Sequence, residues 1–263
     1  MRISFLVLAL LALLPLSLAA CGDASDSTDG SLPPLRVGLE AEYAPFETKT
    51  STGEIQGFDV DLVRRLGKEL GREVIIQDLA FDSLLLKLAA GDLDMVCSGL
   101  SFTDMRAKKV DFSEPYVHLR MGVLLGNAQA AGITQVEELD KKAVIITVQR
   151  GTTGAMKAHA RFPNATIHEY DRENDAANEL VVGRAHAFVY DMVSVHRWNR
   201  QHPTTTSVLP HHLGVEDYCI AFRKGSALRD RVNAKLQSAE VKEWLNGQMS
   251  KWFDEEQRAL FVR

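Results

Sequence analysis

The side chains best suited to binding follow apolar, strand-like segments, at the points where the chain turns toward a helix. The run that begins at the end of segment 94–98 contains Ser98, Gly99, Ser101, Thr103 and Arg106. Its hydroxyls can donate hydrogen bonds, and an arginine can hold a carboxylate through two parallel charge-assisted hydrogen bonds that a lysine cannot imitate. The run therefore indicates a carboxylate site, and a capped surface helix with a solvated arginine is the alternative interpretation.

A second run of this kind follows segment 143–148. It reads Gln149-Arg150-Gly151-Thr152-Thr153-Gly154 and leads into a predicted helix. Glycines allow close backbone approach, and the free N–H groups at a helix start favour an anion. Because the Lys-Ser/Thr ending of a phosphate-binding loop is missing, Thr152 and Thr153 favour a carboxylate over a nucleotide. A plain strand-to-helix turn is the alternative.

An acid with the complementary chemistry, Asp191, ends the apolar segment 185–190. Its carboxylate could accept hydrogen bonds from an ammonium group, although a single Asp at such a place is also typical of a helix cap. Together with Arg106 and the loop donors, Asp191 suits a zwitterion.

Two aromatic residues and one further acid also stand at strand ends. Tyr43 and Phe81 could form the walls of a side-chain pocket or belong to the hydrophobic core. Glu40 follows the first predicted strand and could bind a ligand cation or amide, or be an ordinary exposed carboxylate.

Strands that alternate with helices position these residues. A β-α-β-α-β pattern covers 35–98, and a similar alternation covers 143–190. Such patterns predict two α/β units, each a mostly parallel sheet flanked by helices, with ligands bound beyond the carboxyl ends of the strands. The apolar runs 120–125 and 218–222 predict two hinge strands. The predicted fold is therefore a two-lobed α/β architecture, with a discontinuous lobe 1 at 35–119 plus 214–263 and lobe 2 at 120–213.

The N-terminal residues 1–20 predict a signal peptide, because one cation is followed by an apolar run too short for a helix that stays in the membrane. Small residues before Cys21 resemble the bacterial lipobox, which implies that Cys21 becomes a lipid-carrying N-terminus. An ordinary cleavable signal with a nearby cysteine is the alternative. Residues 21–34 have the Asp, Ser and Gly content of a solvated, lipidated tether.

Composition and cysteine use exclude several classes of protein. Removal of 1–20 leaves 29 basic against 35 acidic residues, a net charge of −6, without the clustered cations of a nucleic-acid surface. Zinc and nucleophile spacings are missing from the sequence, so no metal or other cofactor is predicted. Cys97 and Cys219 each lie in an apolar run, where a disulfide and two buried thiols are both possible.

Six segments in order resemble a known family, the family 3 solute-binding proteins of bacterial ABC importers, which include the histidine- and lysine/arginine/ornithine-binding proteins. The resemblance covers about 35–253. The segments are Tyr43-Ala44-Pro45-Phe46-Glu47, Gly57-Phe58-Asp59-Val60-Asp61-Leu62, 98–106, Asp111-Phe112-Ser113-Glu114-Pro115-Tyr116, Gly151-Thr152-Thr153 and Asp191. The resemblance implies a type II periplasmic-binding-protein fold, whose cleft closes on an amino acid by hinge motion, and no catalysis.

The resemblance also implies roles for the charged residues. The family's arginine at the position of Arg106 clamps the ligand α-carboxylate, helped at the positions of Ser101 and Thr153. The aspartate at the position of Asp191 takes the α-ammonium, with a backbone oxygen near Gly99 or the residue before it.

For the ligand side chain, the resemblance implies that Tyr43 and Phe81 enclose it between their rings, and that an acid near Glu40 meets its far end. This sequence departs at Gly99, where relatives often carry Ser, and at Glu40, where they often carry Asp. A cationic ligand is therefore only weakly favoured over glutamine or another polar amino acid.

The implied partners are a polar amino acid, an ABC permease with its ATPase, and a bacterial membrane reached through the lipid anchor. The protein is expected to be a monomer in the periplasm or on the cell surface. Two alternatives stay open: a periplasmic cyclohexadienyl or arogenate dehydratase on the same fold, which would need a general acid at the leaving group, and a ligand-sensing lipoprotein.

Overall fold

The computed structural model describes residues 32–262, which contain two principal β-sheets with helices packed on them. The predicted signal peptide, Cys21 and most of the predicted tether lie outside the described residues. The strands are β1 Leu35–Leu39, β2 Glu42–Tyr43, β3 Glu47–Lys49, β4 Ile55–Gln56, β5 Val74–Asp78, β6 Met95–Val96, β7 Val110–Phe112, β8 Val117–Gly126, β9 Ile145–Gln149, β10 Thr166–Tyr170, β11 Ala187–Asp191, β12 Thr206–Val208, β13 Val215–Tyr218 and β14 Ala221–Arg223. The helices are α1 Phe58–Leu70, α2 Phe81–Ala90, α3 Asp104–Ala107, α4 Thr153–Arg161, α5 Glu173–Val181, α6 Met192–Gln201, α7 Ala227–Leu236, α8 Ala239–Trp252 and α9 Glu255–Arg258.

The first sheet has the order β5-β1-β6-β14-β7, with β5, β1 and β6 parallel and the last two strands antiparallel to their neighbours. The second sheet has the order β10-β9-β11-β8-β12, with β13 also paired to β8. Here β10, β9 and β11 are parallel, and β8 is antiparallel to its partners. Each lobe thus combines a parallel core with antiparallel strands, because the predicted hinge strands extend into the sheets.

Helix α1 shows how local sequence fixes an element of the first lobe. Its apolar residues Leu62, Val63 and Leu66 are buried in one cluster with Leu35 of β1. The helix ends at Gly71, whose φ of 64° lies in the left-handed region that glycine adopts without a Cβ clash. The 3.6-residue spacing of the apolar positions therefore predicts both the helix and the face that it buries.

The chain passes between the two sheets twice, at 113–116 and at 219–220. Backbone hydrogen bonds join these passages: Ser113 N donates to Ile220 O (2.8 Å), and Tyr116 N donates to Tyr218 O (2.9 Å). The boundaries predicted at 119/120 and 213/214 fall within β8 and just before β13.

The C-terminal helices α7 and α8 pack against the first lobe, which the sequence predicts to include 214–263. Val232 of α7 and Val241 of α8 are buried in the cluster that contains α1. Across 32–262, no helix is both long and apolar enough to span a bilayer.

Cys97 and Cys219 are buried free thiols. The Sγ of Cys97 lies 3.8 Å from the hydroxyl of Tyr116, and the Sγ of Cys219 lies 3.6 Å from the backbone oxygen of Asp217. Of the two arrangements that the sequence left open, the structure has the reduced one.

Candidate functional site

A cavity between the two lobes collects nearly all the predicted site residues. It is lined by Glu40, Tyr43, Glu47, Phe81, Ser98, Gly99, Ser101, Arg106, Met121, Thr152, Thr153, Gly154, Tyr190, Asp191 and Tyr218. The elements place them there because parallel strands end at one edge of each sheet, and both edges face the cavity. Thr103 is the predicted residue that lies outside this lining: its hydroxyl accepts a hydrogen bond from the backbone N–H of Arg106 and so caps α3.

Arg106 contributes a buried positive charge to the first-lobe wall. Its Nη1 donates to the backbone oxygen of Ser101 (2.6 Å), and its Nη2 donates across the cleft to the backbone oxygen of Gly151 (2.9 Å). The guanidinium lies 5.7 Å from the ring centroid of Phe81. No carboxylate among the described residues forms an ion pair with Arg106, and burial lowers its pKa to about 10. The site therefore holds a desolvated cation that a ligand carboxylate would neutralise.

Two hydroxyls flank this cation at the join between the lobes. Ser101 Oγ lies 3.3 Å from Thr153 Oγ1 in the opposite lobe. Thr152 accepts from the backbone N–H of Ala155 (3.1 Å) and caps α4, so the first N–H groups of that helix face the cavity. Such a helix start favours an anion.

Asp191 supplies the opposite charge from the second lobe. Its Oδ1 accepts from the backbone N–H groups of Val193 and Ser194, which caps α6, and its Oδ2 accepts from the hydroxyl of Tyr43 across the cleft (2.7 Å). Burial raises the pKa of Asp191 to about 7. One oxygen of Asp191 thus caps the helix, and the other accepts from Tyr43 in the cavity lining; ammonium binding by Asp191 stays a prediction.

Glu40 is a third ionisable group in the lining. Its Oε2 accepts from Gln149 Nε2 of the opposite lobe (2.6 Å), and burial raises its pKa to about 7. The Gln149 amide also donates to Asp171 O (3.1 Å) and accepts from the Tyr190 hydroxyl (2.8 Å). The Gln149 orientation is consequently fixed, with its NH₂ toward the two acceptors.

The aromatic residues take positions other than a parallel pair. Tyr43 stacks on Phe46 with centroids 4.8 Å apart, whereas Phe81 faces the guanidinium of Arg106. The Tyr43 position explains one departure from the family pattern. A Cβ on Gly99 would lie 2.4 Å from Tyr43 Cε1, and Gly99 has a φ of +50°, so glycine permits this packing.

Sequence reasoning missed five lining residues: Glu47, Met121, Gly154, Tyr190 and Tyr218. Glu47 and Gly154 stood within quoted motifs, and Tyr190 precedes Asp191, so adjacency could have found them. Met121 lies in β8 and Tyr218 ends β13; both fall in the apolar runs predicted as hinge strands, where nothing in the pattern marks a residue that faces a ligand. Within the described residues, no group of three or more His, Cys, Asp or Glu side chains could hold a metal ion.

Comparisons with known proteins show which family the chain belongs to. The sequence profile of the bacterial extracellular solute-binding proteins, family 3, matches residues 35–255. The arginine-binding extracellular protein ArtP of Bacillus subtilis (strain 168) is 31% identical over 253 residues, 95% of this chain and 97% of that protein.

Solved structures share the architecture. An ancestral arginine-binding protein bound to arginine is 30% identical, with a TM-score of 0.77 over 85% of this chain and 100% of that one. An ancestral amino acid-binding protein described as a precursor of cyclohexadienyl dehydratase is 34% identical, with a TM-score of 0.77 over 84% of this chain and 95% of that one. With a profile match over most of its length, the chain belongs to the bacterial extracellular solute-binding proteins, family 3.

Proposed function

We propose that this protein is the extracytoplasmic, lipid-anchored substrate-binding component of an amino acid ABC transporter, and that it binds a polar, cationic L-amino acid between its lobes. L-Arginine is the first candidate. One observation carries the proposal: the cavity places a buried cation, Arg106, on one wall and a buried acid, Asp191, on the other. A free amino acid carries both complementary charges on one carbon.

The preference for a cationic side chain rests on Glu40. It is a second acid in the cavity lining, 7% exposed, and the amide of Gln149 is its one described side-chain donor. A guanidinium or ammonium at the far end of a ligand would pair with this carboxylate. Two of the similar proteins described above are arginine-binding proteins, which supports the choice.

A thermal-shift screen tests the proposal. The protein from Gly22 onward is mixed with each of the twenty amino acids, ornithine and citrulline. A ligand at about 100 times its Kd stabilises the native state by about 2.7 kcal/mol. We expect the largest rise in Tm with arginine and a much smaller one with citrulline, the neutral analogue of the same shape.

Other outcomes divide the proposal into its parts. A large rise in Tm with glutamine or citrulline would support amino acid binding and contradict the proposed pairing of Glu40 with a cationic side chain. No shift with any amino acid would reject the binding function.

The lipid anchor at Cys21 and the monomeric state belong to the same proposal, as do the lobe boundaries. Expression of the full chain should place it in the membrane fraction, and Cys21→Ser should release it into the extracytoplasmic soluble fraction. A wild-type protein that is found only in the soluble fraction would exclude the anchor.

A dehydratase is the second candidate, because Glu40 has a pKa of about 7 and could act as a general acid in the cavity. The relation to a precursor of cyclohexadienyl dehydratase supports testing it. Incubation with prephenate or arogenate should yield no aromatic product if the protein only binds amino acids. Product that disappears in Glu40→Gln would establish the enzyme.

A further inference from the structure

A second acidic cluster lies behind the cavity wall. Glu47 of β3 and Asp59 of α1 are both 0% exposed. Glu47 Oε1 accepts from the Ser98 hydroxyl (2.6 Å). Asp59 Oδ2 accepts from the backbone N–H of Gly99 (2.8 Å) and from the Tyr116 hydroxyl (2.7 Å). The two acids therefore hold the adjacent residues of the wall from behind.

Each of the two carboxyl groups has one oxygen without a hydrogen-bond partner in the described part of the chain. Glu47 Oε2 and Asp59 Oδ1 are buried and have no hydrogen-bond partner among the described residues. The two acids are neighbours, since the backbone N–H of Asp59 donates to the backbone oxygen of Phe46 (2.9 Å), the residue before Glu47. Burial and the charge of Asp59 both raise the pKa of Glu47. No Lys, Arg or His among the described residues pairs with either group. A single proton between the two free oxygens would satisfy both of them, whereas two buried carboxylates without a cation would repel.

Hydrogen-bond donors decide which acid holds the proton. Asp59 receives two donors and Glu47 receives one, so the negative charge is better stabilised on Asp59. Burial raises the pKa of both groups, Glu47 well above its usual range and Asp59 to about 6. The titratable groups that face the pair are Glu40, Cys97, Tyr116 and Tyr218.

We propose that Glu47 and Asp59 share one proton, carried by Glu47, and that Glu47 is a positioning residue for the ligand site. Its effect passes through Ser98, whose Oγ donates to Glu47 and accepts from the backbone N–H of Glu40 (3.0 Å). Asp59 fixes Gly99 in the same way. The pair thus fixes the positions of Ser98 and Gly99 in the wall that faces the ligand. This role in binding rests on the function proposed above.

Infrared spectroscopy tests the shared proton without any ligand. At about pH 9, Glu40 and Asp191 are ionised because their pKa values are about 7. We expect the purified protein to retain the C=O stretch of a protonated carboxylic acid at this pH. The band should disappear in Glu47→Gln and persist in Glu40→Gln, the matched control. A spectrum without the band, or a band that survives Glu47→Gln, would overturn the shared proton.

Rescue by a matched variant tests the positioning role, with L-arginine as the probe in calorimetry. In Glu47→Gln the amide oxygen can still accept from Ser98, and the NH₂ can donate to Asp59 as the proton does. We expect its Kd to stay within about threefold of wild type, whereas Glu47→Leu, which leaves both groups unpaired, should weaken binding about tenfold or more.

Equal Kd values in the two variants would reject the positioning role. If wild type fails to bind arginine, the choice of arginine as the ligand fails, and the infrared result still decides the carboxyl pair. If Glu47→Leu fails to fold, Glu47→Gln decides alone, and a loss of about tenfold or more in that variant would contradict the proposal.

Discussion

The two walls of the cleft hold their charges by different means. On the first-lobe wall, Arg106 stands on a short helix and donates to two backbone oxygens, one of them across the cleft. On the second-lobe wall, Asp191 ends a strand of the sheet, and two N–H groups of its own helix hold one of its oxygens. The acid is therefore fixed within its own lobe, whereas the cation depends on closure for one of its two hydrogen bonds.

This difference indicates how ligand binding and closure are linked. Each charge is covered from the opposite lobe by a neutral group: Gly151 O contacts Arg106, and the Tyr43 hydroxyl contacts Asp191. Neutral groups compensate buried charges incompletely. A zwitterion would replace both contacts with charged ones, so neither lobe alone forms a complete site.

Removal of the cation should have the largest effect. In Arg106→Ala, a ligand carboxylate would be buried without its partner, which costs about 2 to 5 kcal/mol, or about 30-fold to several thousand-fold in Kd. Calorimetry with arginine should show no binding at micromolar ligand, while circular dichroism shows an intact fold. Arg161→Ala, at an exposed position, is the control. Retained affinity in Arg106→Ala would mean that the carboxylate binds elsewhere.

Neutralisation of the acid should have a large but separable effect. Asp191→Asn keeps an oxygen that can cap α6 and removes the charge, so we expect loss of arginine binding without loss of stability. Ser238→Ala removes the cap of α8 and should do the opposite, with about 1 kcal/mol lost from the free energy of unfolding and an unchanged Kd. An Asp191→Asn protein that binds arginine normally would contradict the assignment.

Acidification should weaken binding by an intermediate amount. Asp191 must be ionised to pair with an ammonium group, and its pKa is about 7. Between about pH 8 and about pH 6, protonation of this one group should raise the Kd about tenfold. Calorimetric titrations across this range would show it, and a constant Kd would contradict the ionised acid as the partner.

The stability of the unliganded protein should change with pH in the opposite direction. The pKa values of Asp191 and Glu40 are raised in the folded state. Their contribution to stability is therefore complete when the pH lies below the pKa that each group has in the unfolded chain, and it is lost as the pH rises through about 7. The free energy of unfolding should fall by up to about 1.4 kcal/mol per pH unit for each proton that only the native state binds. Denaturant titrations should show a flatter dependence in Asp191→Asn.

An effect of about the same size as that of acidification is expected for Glu40, which in the proposed function meets only the ligand's far end. Glu40→Gln should weaken arginine binding about tenfold and leave citrulline within about twofold. Glu54→Gln, at an exposed turn, should change neither ligand. An equal loss for both ligands would show that Glu40 holds the cleft closed through Gln149 and does not select the side chain.

The candidate site was largely predictable because its chemistry is local. Hydroxyls, glycines, Arg106 and Asp191 follow strands, and the carboxyl ends of parallel strands converge at one edge of a sheet. The exception, Thr103, illustrates the limit. A hydroxyl three residues before a helical N–H can cap the helix or face a ligand, and the sequence pattern is the same in both cases.

Sequence by itself determined the two α/β units, the return of the C-terminal helices, and which charges could meet a zwitterion, because periodicity and residue type act over a few residues. Tertiary structure alone decided which groups cover those charges. Tyr43 meets Asp191 across 148 positions of sequence, and Glu40 meets Gln149 across 109. It also brought Glu47 beside Asp59 in a place without a cation. Such contacts depend on how the two sheets face each other across the cleft, and no local sequence pattern encodes that arrangement.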